Sequence, residues 1–127
     1  MSHSPVIAVI DDDQAIREAL EDLLSSLGYR ALPFASAEDF LAFPGRSDVA
    51  CMVCDVRMGG MTGLDLQASL NAEGKPSPMI FMTSYTDTAT RAKALAGGAH
   101  GFLEKPVDAD VLIACLASAL QHEVRPD

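Results

Sequence analysis

Five short apolar runs, each followed by a stretch with helical spacing, constrain this chain more than any other feature. Val6-Ile-Ala-Val-Ile10 is a continuous run, Val49 to Cys54 is nearly all apolar, and Met79-Ile-Phe-Met82 is a third unbroken run. Runs of that length without polar alternation suit strands buried on both faces, as in the middle of a parallel sheet. Leu32 to Ala35 and Gly101-Phe-Leu103 read as two shorter strands. Pro33 would suit an edge position for the former, because it cannot donate to a ladder.

Between these runs the spacing turns helical. Ile16, Leu20, Leu23, Leu24 and Leu27 follow Asp11-Asp-Asp13, one of which can cap a helix that Gly28 stops. Ser36-Ala-Glu-Asp39 resembles a capping box opening a short helix with Phe40 and Leu41, and Thr62-Gly-Leu-Asp65 opens another with Leu66 and Leu70. Thr86 or Asp87 starts an Ala-rich helix stopped by Gly97-Gly98, and Asp108 caps a last helix carrying Val111, Leu112, Leu116 and Leu120. Strands alternating with helices predict an α/β fold, a parallel sheet with helices on both faces and right-handed crossovers. With 127 residues the chain suits one domain, its core spanning about 5–122.

A parallel sheet sends all its strand ends one way, and ligands bind beyond them. The residues there are Asp11 and Asp12, Asp55, Thr83 and Lys105, while the second strand contributes nothing obvious. Asp55 stands alone after its run, with only Arg57 nearby to oppose its charge. Three carboxylates on one rim repel and call for a cation. With oxygen ligands only, that cation is a hard one, and Mg²⁺ suits a few carboxylates, a backbone carbonyl and retained waters. An ammonium and a hydroxyl across the same cleft suit a phosphoryl group. Asp55 is then the natural nucleophile, since carboxylates form aspartyl phosphates, and Asp11 and Asp12 the natural metal holders.

The totals exclude several classes. A net charge of −9 argues against direct nucleic-acid or anionic-membrane binding. No run approaches a membrane span and no signal peptide is visible, so the expectation is a cytoplasmic protein. Cys51 and Cys54 form a C-x-x-C, but on a strand positions three apart face opposite ways; they and Cys115 read as buried, inert thiols. His3, His100 and His122 lack metal-ligand spacing, and Met52, Met58, Met61, Met79 and Met82 read as core or loop filling.

Val9-Ile-Asp-Asp-Asp13, Cys54-Asp-Val-Arg-Met58 with Gly63, Met82-Thr-Ser84 and Phe102-Leu-Glu-Lys-Pro106 together resemble the receiver domains of two-component response regulators. The Asp-Val-Arg-Met phrase is most like receivers of nitrogen-fixation and NarL-type transcriptional regulators. The resemblance spans the chain and implies a flavodoxin-like (βα)5 fold, five parallel strands in the order 2-1-3-4-5. It implies that Asp55 accepts a phosphoryl group from a sensor histidine kinase or a histidine phosphotransfer protein. Asp12, Asp55 and the Arg57 carbonyl would hold Mg²⁺, with Asp11 acting largely through water. Lys105, before a typically cis Pro106, would bind phosphoryl oxygens. Thr83 would move toward the phosphoryl group and Phe102 would turn inward with it. The surface so changed is the fourth helix, fifth strand and fifth helix, where such domains form homodimers or dock outputs.

Three expectations are particular to this chain. Gly59 replaces the family's usual proline, which predicts a more mobile loop over Met58–Met61. Arg57 and Tyr85 flank the path of an attacking water and are bulky, which predicts slow self-hydrolysis. The domain is expected to perform only its own phosphorylation chemistry, and the sequence leaves open whether it acts alone or within a longer regulator. Two rival readings remain. One is an aspartate-nucleophile phosphatase of the haloacid-dehalogenase type, for which Asp11 and Asp13 have the carboxylate spacing but Ala15 is wrong and no cap insertion is present. The other is a docking module that takes no phosphate, against which the full set of acids, hydroxyl and lysine argues.

Overall fold

The structure is a computed structural model that describes residues 4–74, 77–84 and 87–123. In chain order the elements are β1 Val6–Ile10, α1 Gln14–Ser26, β2 Arg30–Phe34, α2 Ala37–Leu41, a 3-10 turn Arg46–Asp48, β3 Cys51–Asp55, α3 Gly63–Ala72, β4 Met79–Thr83, α4 Thr88–Ala96, β5 Gly101–Glu104 and α5 Ala109–Glu123. All four strand pairings are parallel and the order is β2-β1-β3-β4-β5, as the resemblance implied. β2 is the edge that Pro33 suits.

Strand pleating sorts the core into two layers. Ala8, Ile10, Met52, Cys54, Met79, Phe81 and Phe102 face α2, α3 and α4, represented by Phe40, Leu66, Leu70 and Ala94. Ile7, Val9, Cys51, Val53, Ile80 and Met82 face α1 and α5, represented by Leu20, Leu24, Leu112 and Leu116. Successive side chains of a strand point to opposite faces, so unbroken apolar runs were needed to satisfy both layers. Cys51 and Cys54 fall in different layers, so the C-x-x-C holds no pair.

Strand boundaries differ from the expectation in β2, β3 and β5: β3 starts at Cys51, not Val49, and β5 extends through Glu104. β2 begins at Arg30, not Leu32, because an edge strand tolerates the exposed Arg30 that an apolar pattern leaves out. β3 runs Cys51–Asp55 and includes the aspartate, since Asp55 pairs in register with Met82 through backbone groups indifferent to its side chain. The helix starts are fixed by their predicted caps. Asp13 caps α1, Thr62 and Asp65 form a reciprocal box on α3, and Asp87 caps α4. Ser36 accepts from the Asp39 N–H at the start of α2, and Asp108 accepts from Asp110 and Val111 at the start of α5. Gly28, with φ +90°, ends α1 in the left-handed conformation.

Candidate functional site

The strand order reverses between β1 and β3, and the crevice at their carboxyl ends is where such sheets take ligands. Asp11 follows β1 directly, and its N–H still reaches β2 by donating to the Phe34 carbonyl at 3.1 Å. Its side chain is fully buried. That side chain accepts from the Asp13 N–H at 2.9 Å and from Lys105 Nζ at 2.8 Å. Asp12 beside it is exposed. Asp13 turns away to accept from Ala15 and Ile16 as the α1 cap. The aspartate triplet is thus divided into a buried ion-pair partner, an open carboxylate and a cap.

Asp55 ends β3 with its carboxylate nearly buried. Its Oδ1 accepts from the Arg57 N–H at 3.3 Å and its Oδ2 from Lys105 Nζ at 3.2 Å. The opposing charge is therefore Lys105, fifty residues along the chain, and not the Arg57 side chain that its sequence neighbourhood suggested. Lys105 is delivered by β5 and held at its backbone, where its N–H donates to the Thr83 carbonyl at 2.8 Å. The Lys105–Pro106 peptide is cis. One carboxylate oxygen each from Asp11, Asp12 and Asp55 lies within 4.8 Å of the others. All five predicted rim residues thus come to one end of the sheet, with Thr83 buried at the end of β4. Tyr85 lies outside the described residues.

The electrostatics follow from this crowding. Burial first, and then the charge of Asp11, hold the Asp55 carboxyl above the ordinary carboxylate range despite Lys105. Burial alone would lower Lys105, but the hydrogen bond and charge of Asp11, with those of Asp55, raise it, so it is a fixed cation. Burial, then Asp55 and Asp11, push the Cys54 thiol up, which leaves it inert. Three carboxylates and one ammonium leave two negative charges for something else to balance. The donor set, hard oxygens with one carboxylate open to solvent, fits a divalent Mg²⁺. Asp11, Asp12 and Asp55 are the carboxylates that could hold it.

Phe102 is buried against Phe81, ring centroids 6.4 Å apart, with the Arg91 guanidinium 5.9 Å above its ring. The ring that was expected to turn inward on activation already lies inward here. Sequence reasoning missed two residues at this end. Arg17 of α1 donates to the Asp11 carbonyl at 2.7 Å, a helix-to-strand-end contact with no motif. Glu38 of α2 accepts from the Met61 N–H at 3.0 Å; its position in a capping-box pattern was visible, its partner was not. The segment after β2, which promised nothing to the rim, therefore reaches the loop beside it.

The chain matches the family described as the response regulator receiver domain over residues 7–117. It is 42% identical over 117 residues to the transcriptional regulatory protein FixJ of Bradyrhizobium diazoefficiens, covering 91% of this chain and 57% of that protein. It is 39% identical to the response regulator protein TmoT of Ectopseudomonas mendocina, covering 91% of this chain and 53% of the relative. The chain thus spans about half the length of the curated relatives it matches. The crystal structure of FixJ-N superposes with a TM-score of 0.85 at 31% identity, covering 98% of this chain and all of that one. The response regulator StyR gives a TM-score of 0.87 at 35% identity, covering 95% of this chain and 61% of that one.

Proposed function

The chain belongs to the response regulator receiver family of two-component systems, and from that premise we propose that it is a phosphorylation-driven switch with Asp55 as phosphoacceptor. The donor is a sensor histidine kinase or a histidine phosphotransfer protein. An Asp55 carboxylate oxygen attacks phosphorus, a P–O bond forms, the P–N bond to the donor imidazole breaks, and the imidazole leaves with its electron pair. Lys105 would hold phosphoryl oxygens as the charge moves. Mg²⁺, when bound by Asp11, Asp12, Asp55 and the Arg57 carbonyl, would supply further neutralisation of that charge. The observation that carries the reading is Lys105 Nζ bridging Asp11 at 2.8 Å and Asp55 at 3.2 Å, side chains from three different strand ends.

The new charge beside Lys105 would draw Thr83, whose carbonyl already holds the Lys105 N–H. Phe102 lies inward in this structure, so the relay reads as a shift in how often the ring occupies that place. The readout surface is α4, β5 and α5, for docking or homodimerisation; Leu95 on α4 and Val111 on α5 are exposed there, 44% and 49%. Arg57 is exposed, and with Tyr85 it would shield the phosphoryl group from water, giving a long lifetime. Loss of phosphate from Arg57→Ala/Tyr85→Ala no faster than from wild type would refute that shielding. The domain turns over no outside substrate and acts in the cytoplasm. No helix among the described residues is long and apolar enough to cross a membrane, and the net charge of −9 disfavours direct nucleic-acid contact. The phosphatase reading loses support because Asp13 is engaged as the α1 cap.

The test is incubation with Mg²⁺ and acetyl phosphate followed by intact mass. Wild type gains one acid-stable, base-labile phosphoryl group and Asp55→Asn none. Turnover of a general phosphomonoester would favour the phosphatase, and an unmodified wild type would favour a pure docking module.

A further inference from the structure

The loop between β3 and α3 is firmly held at both ends. Val56 donates to the Met82 carbonyl at 3.1 Å, and Gly63 donates to the Val56 carbonyl at 2.9 Å. Its middle contains Gly59 and Gly60 in succession, the residues with the widest backbone freedom. That freedom lies one residue beyond Met58 and two beyond Arg57, whose N–H binds the Asp55 carboxylate. Something must fix the loop for the Arg57 backbone to stay where it is.

Glu38 is placed to do so from outside. It sits in the first turn of α2, which is anchored by the buried Ala37 and Phe40. Its carboxylate crosses to the Met61 N–H at 3.0 Å, and among the described residues no Lys or Arg is ion-paired with it. Gly60 adopts φ +82°, and a Cβ there would meet Glu38 Oε2 at 2.8 Å. The oxygen that binds Met61 thus also occupies the space a side chain at Gly60 would need. Met58 on one side is buried in the core, and Met61 packs against that core on the other.

We propose that Glu38 is a positioning residue for the phosphoryl site: its carboxylate clamps the Gly59–Met61 stretch and so keeps the Arg57 backbone against Asp55. The clamp stands on the geometry alone; its consequence for Mg²⁺ and phosphate rests on the function proposed above.

The test uses the full chain as wild type, Glu38→Ala, Glu38→Gln and Glu38→Ala/Gly59→Pro. In metal-free protein, amide exchange at Met61 should accelerate about tenfold in Glu38→Ala, the size expected of a lost hydrogen bond to a charged group. Glu38→Gln keeps an accepting oxygen and should retain most of the protection. Amides of Ile7–Ile10 should be unchanged in all variants. In Mg²⁺ titrations followed by amide shifts, Glu38→Ala should bind severalfold more weakly, Glu38→Gln close to wild type, and Gly59→Pro should recover part of the loss by restricting the loop. Unchanged Met61 exchange in Glu38→Ala overturns the proposal. So does equal impairment in Glu38→Ala and Glu38→Gln, or a loss of β1 protection that would place the role in the fold. A Met61 amide that is freed while Mg²⁺ affinity stays at the wild-type value overturns the positioning role. If wild type itself binds no Mg²⁺ and takes no phosphate, the function fails while the exchange measurement still decides the clamp.

Discussion

Two ion-paired clusters lie at opposite ends of the sheet, and they behave in opposite ways. At the amino end of the strands Arg46 and Glu73 form a two-point fork, 2.9 and 3.0 Å, between the 3-10 turn and the end of α3. Each partner favours the other's charged form: the hydrogen bond to Arg46 holds Glu73 below the usual carboxylate range, and the hydrogen bond to Glu73 raises Arg46. At the carboxyl end one lysine serves two buried carboxylates with a third beside them, and Asp55 is held above the usual range, not below it. One pair is satisfied and exposed. The other is buried and has more negative charge than its partner can answer, which is the arrangement expected of a site completed by ligands.

The largest separation between the two ends should appear in function. Lys105→Ala is expected to abolish detectable phosphorylation from acetyl phosphate while Arg46→Ala leaves it at the wild-type level. Lys105→Ala should also lower stability by about 2 kcal/mol, because it strands buried carboxylates without their donor. Equal phosphorylation of the two variants would erase the distinction.

Stability should then move in opposite directions. Asp55→Asn removes one of the crowded charges, and relief of repulsion between carboxylates near a surface is worth about 1–2 kcal/mol, so its urea midpoint should rise even as phosphorylation is lost. The pH dependence follows. Asp55 is raised in the folded chain, so between its unfolded and folded values the native state binds the extra proton, and wild-type stability falls as pH rises through that window. The advantage of Asp55→Asn should therefore grow over the same window. Added Mg²⁺ should stabilise wild type and not the variant. A lower midpoint for Asp55→Asn would show that Lys105 already balances the site.

The backbone offers a third contrast of comparable or smaller size. A Cβ on Gly63 would lie 2.5 Å from the Asp55 carbonyl oxygen, which cannot yield without moving β3, and 2.9 Å from the buried Phe81 ring on β4. A Cβ on Gly45 at the other end would meet only the tip of the Phe43 ring at 3.0 Å. Gly63→Ala should cost about 1–2 kcal/mol by overpacking and slow phosphorylation, whereas Gly45→Ala should be nearly neutral in both.

What the sequence made legible, and what it did not, divides along physical lines. Asp11 and Lys105 are ninety-four residues apart, yet their meeting could be read, because parallel strands carry their last residues to one edge. The caps at Asp13, Thr62 and Asp108 were local and equally readable. The opposite faces of Cys51 and Cys54 followed from the pleat alone. The Arg46–Glu73 fork and the Glu38 contact were hidden, since each depends on the reach of a long side chain between elements whose spacing no pattern encodes. Phe102 was legible as a position but not as a state: the motif places the ring on β5 without saying that Phe81 and Arg91 enclose it. β2 starts two residues earlier than expected because an edge strand is defined by its pairing with β1, and apolar patterning follows burial.

The smallest effect tests the satisfied end. Arg46 and Glu73 are partly open to solvent, with side chains 28% and 43% exposed, so salt screens them and side-chain ordering offsets much of their attraction. Glu73→Gln should shift the urea midpoint only slightly, and the shift should shrink further in molar salt. Its pH signature should oppose that of Asp55. A carboxyl lowered in the folded chain adds stability above its unfolded value and loses it as pH falls through the folded one. The difference between wild type and Glu73→Gln should therefore close on acidification, and close from the side of a less stable variant, while that for Asp55→Asn closes from the side of a more stable one. If both differences carry the same sign, the two ends share one electrostatic role and the acidic rim loses its distinction as a site held in readiness for a cation.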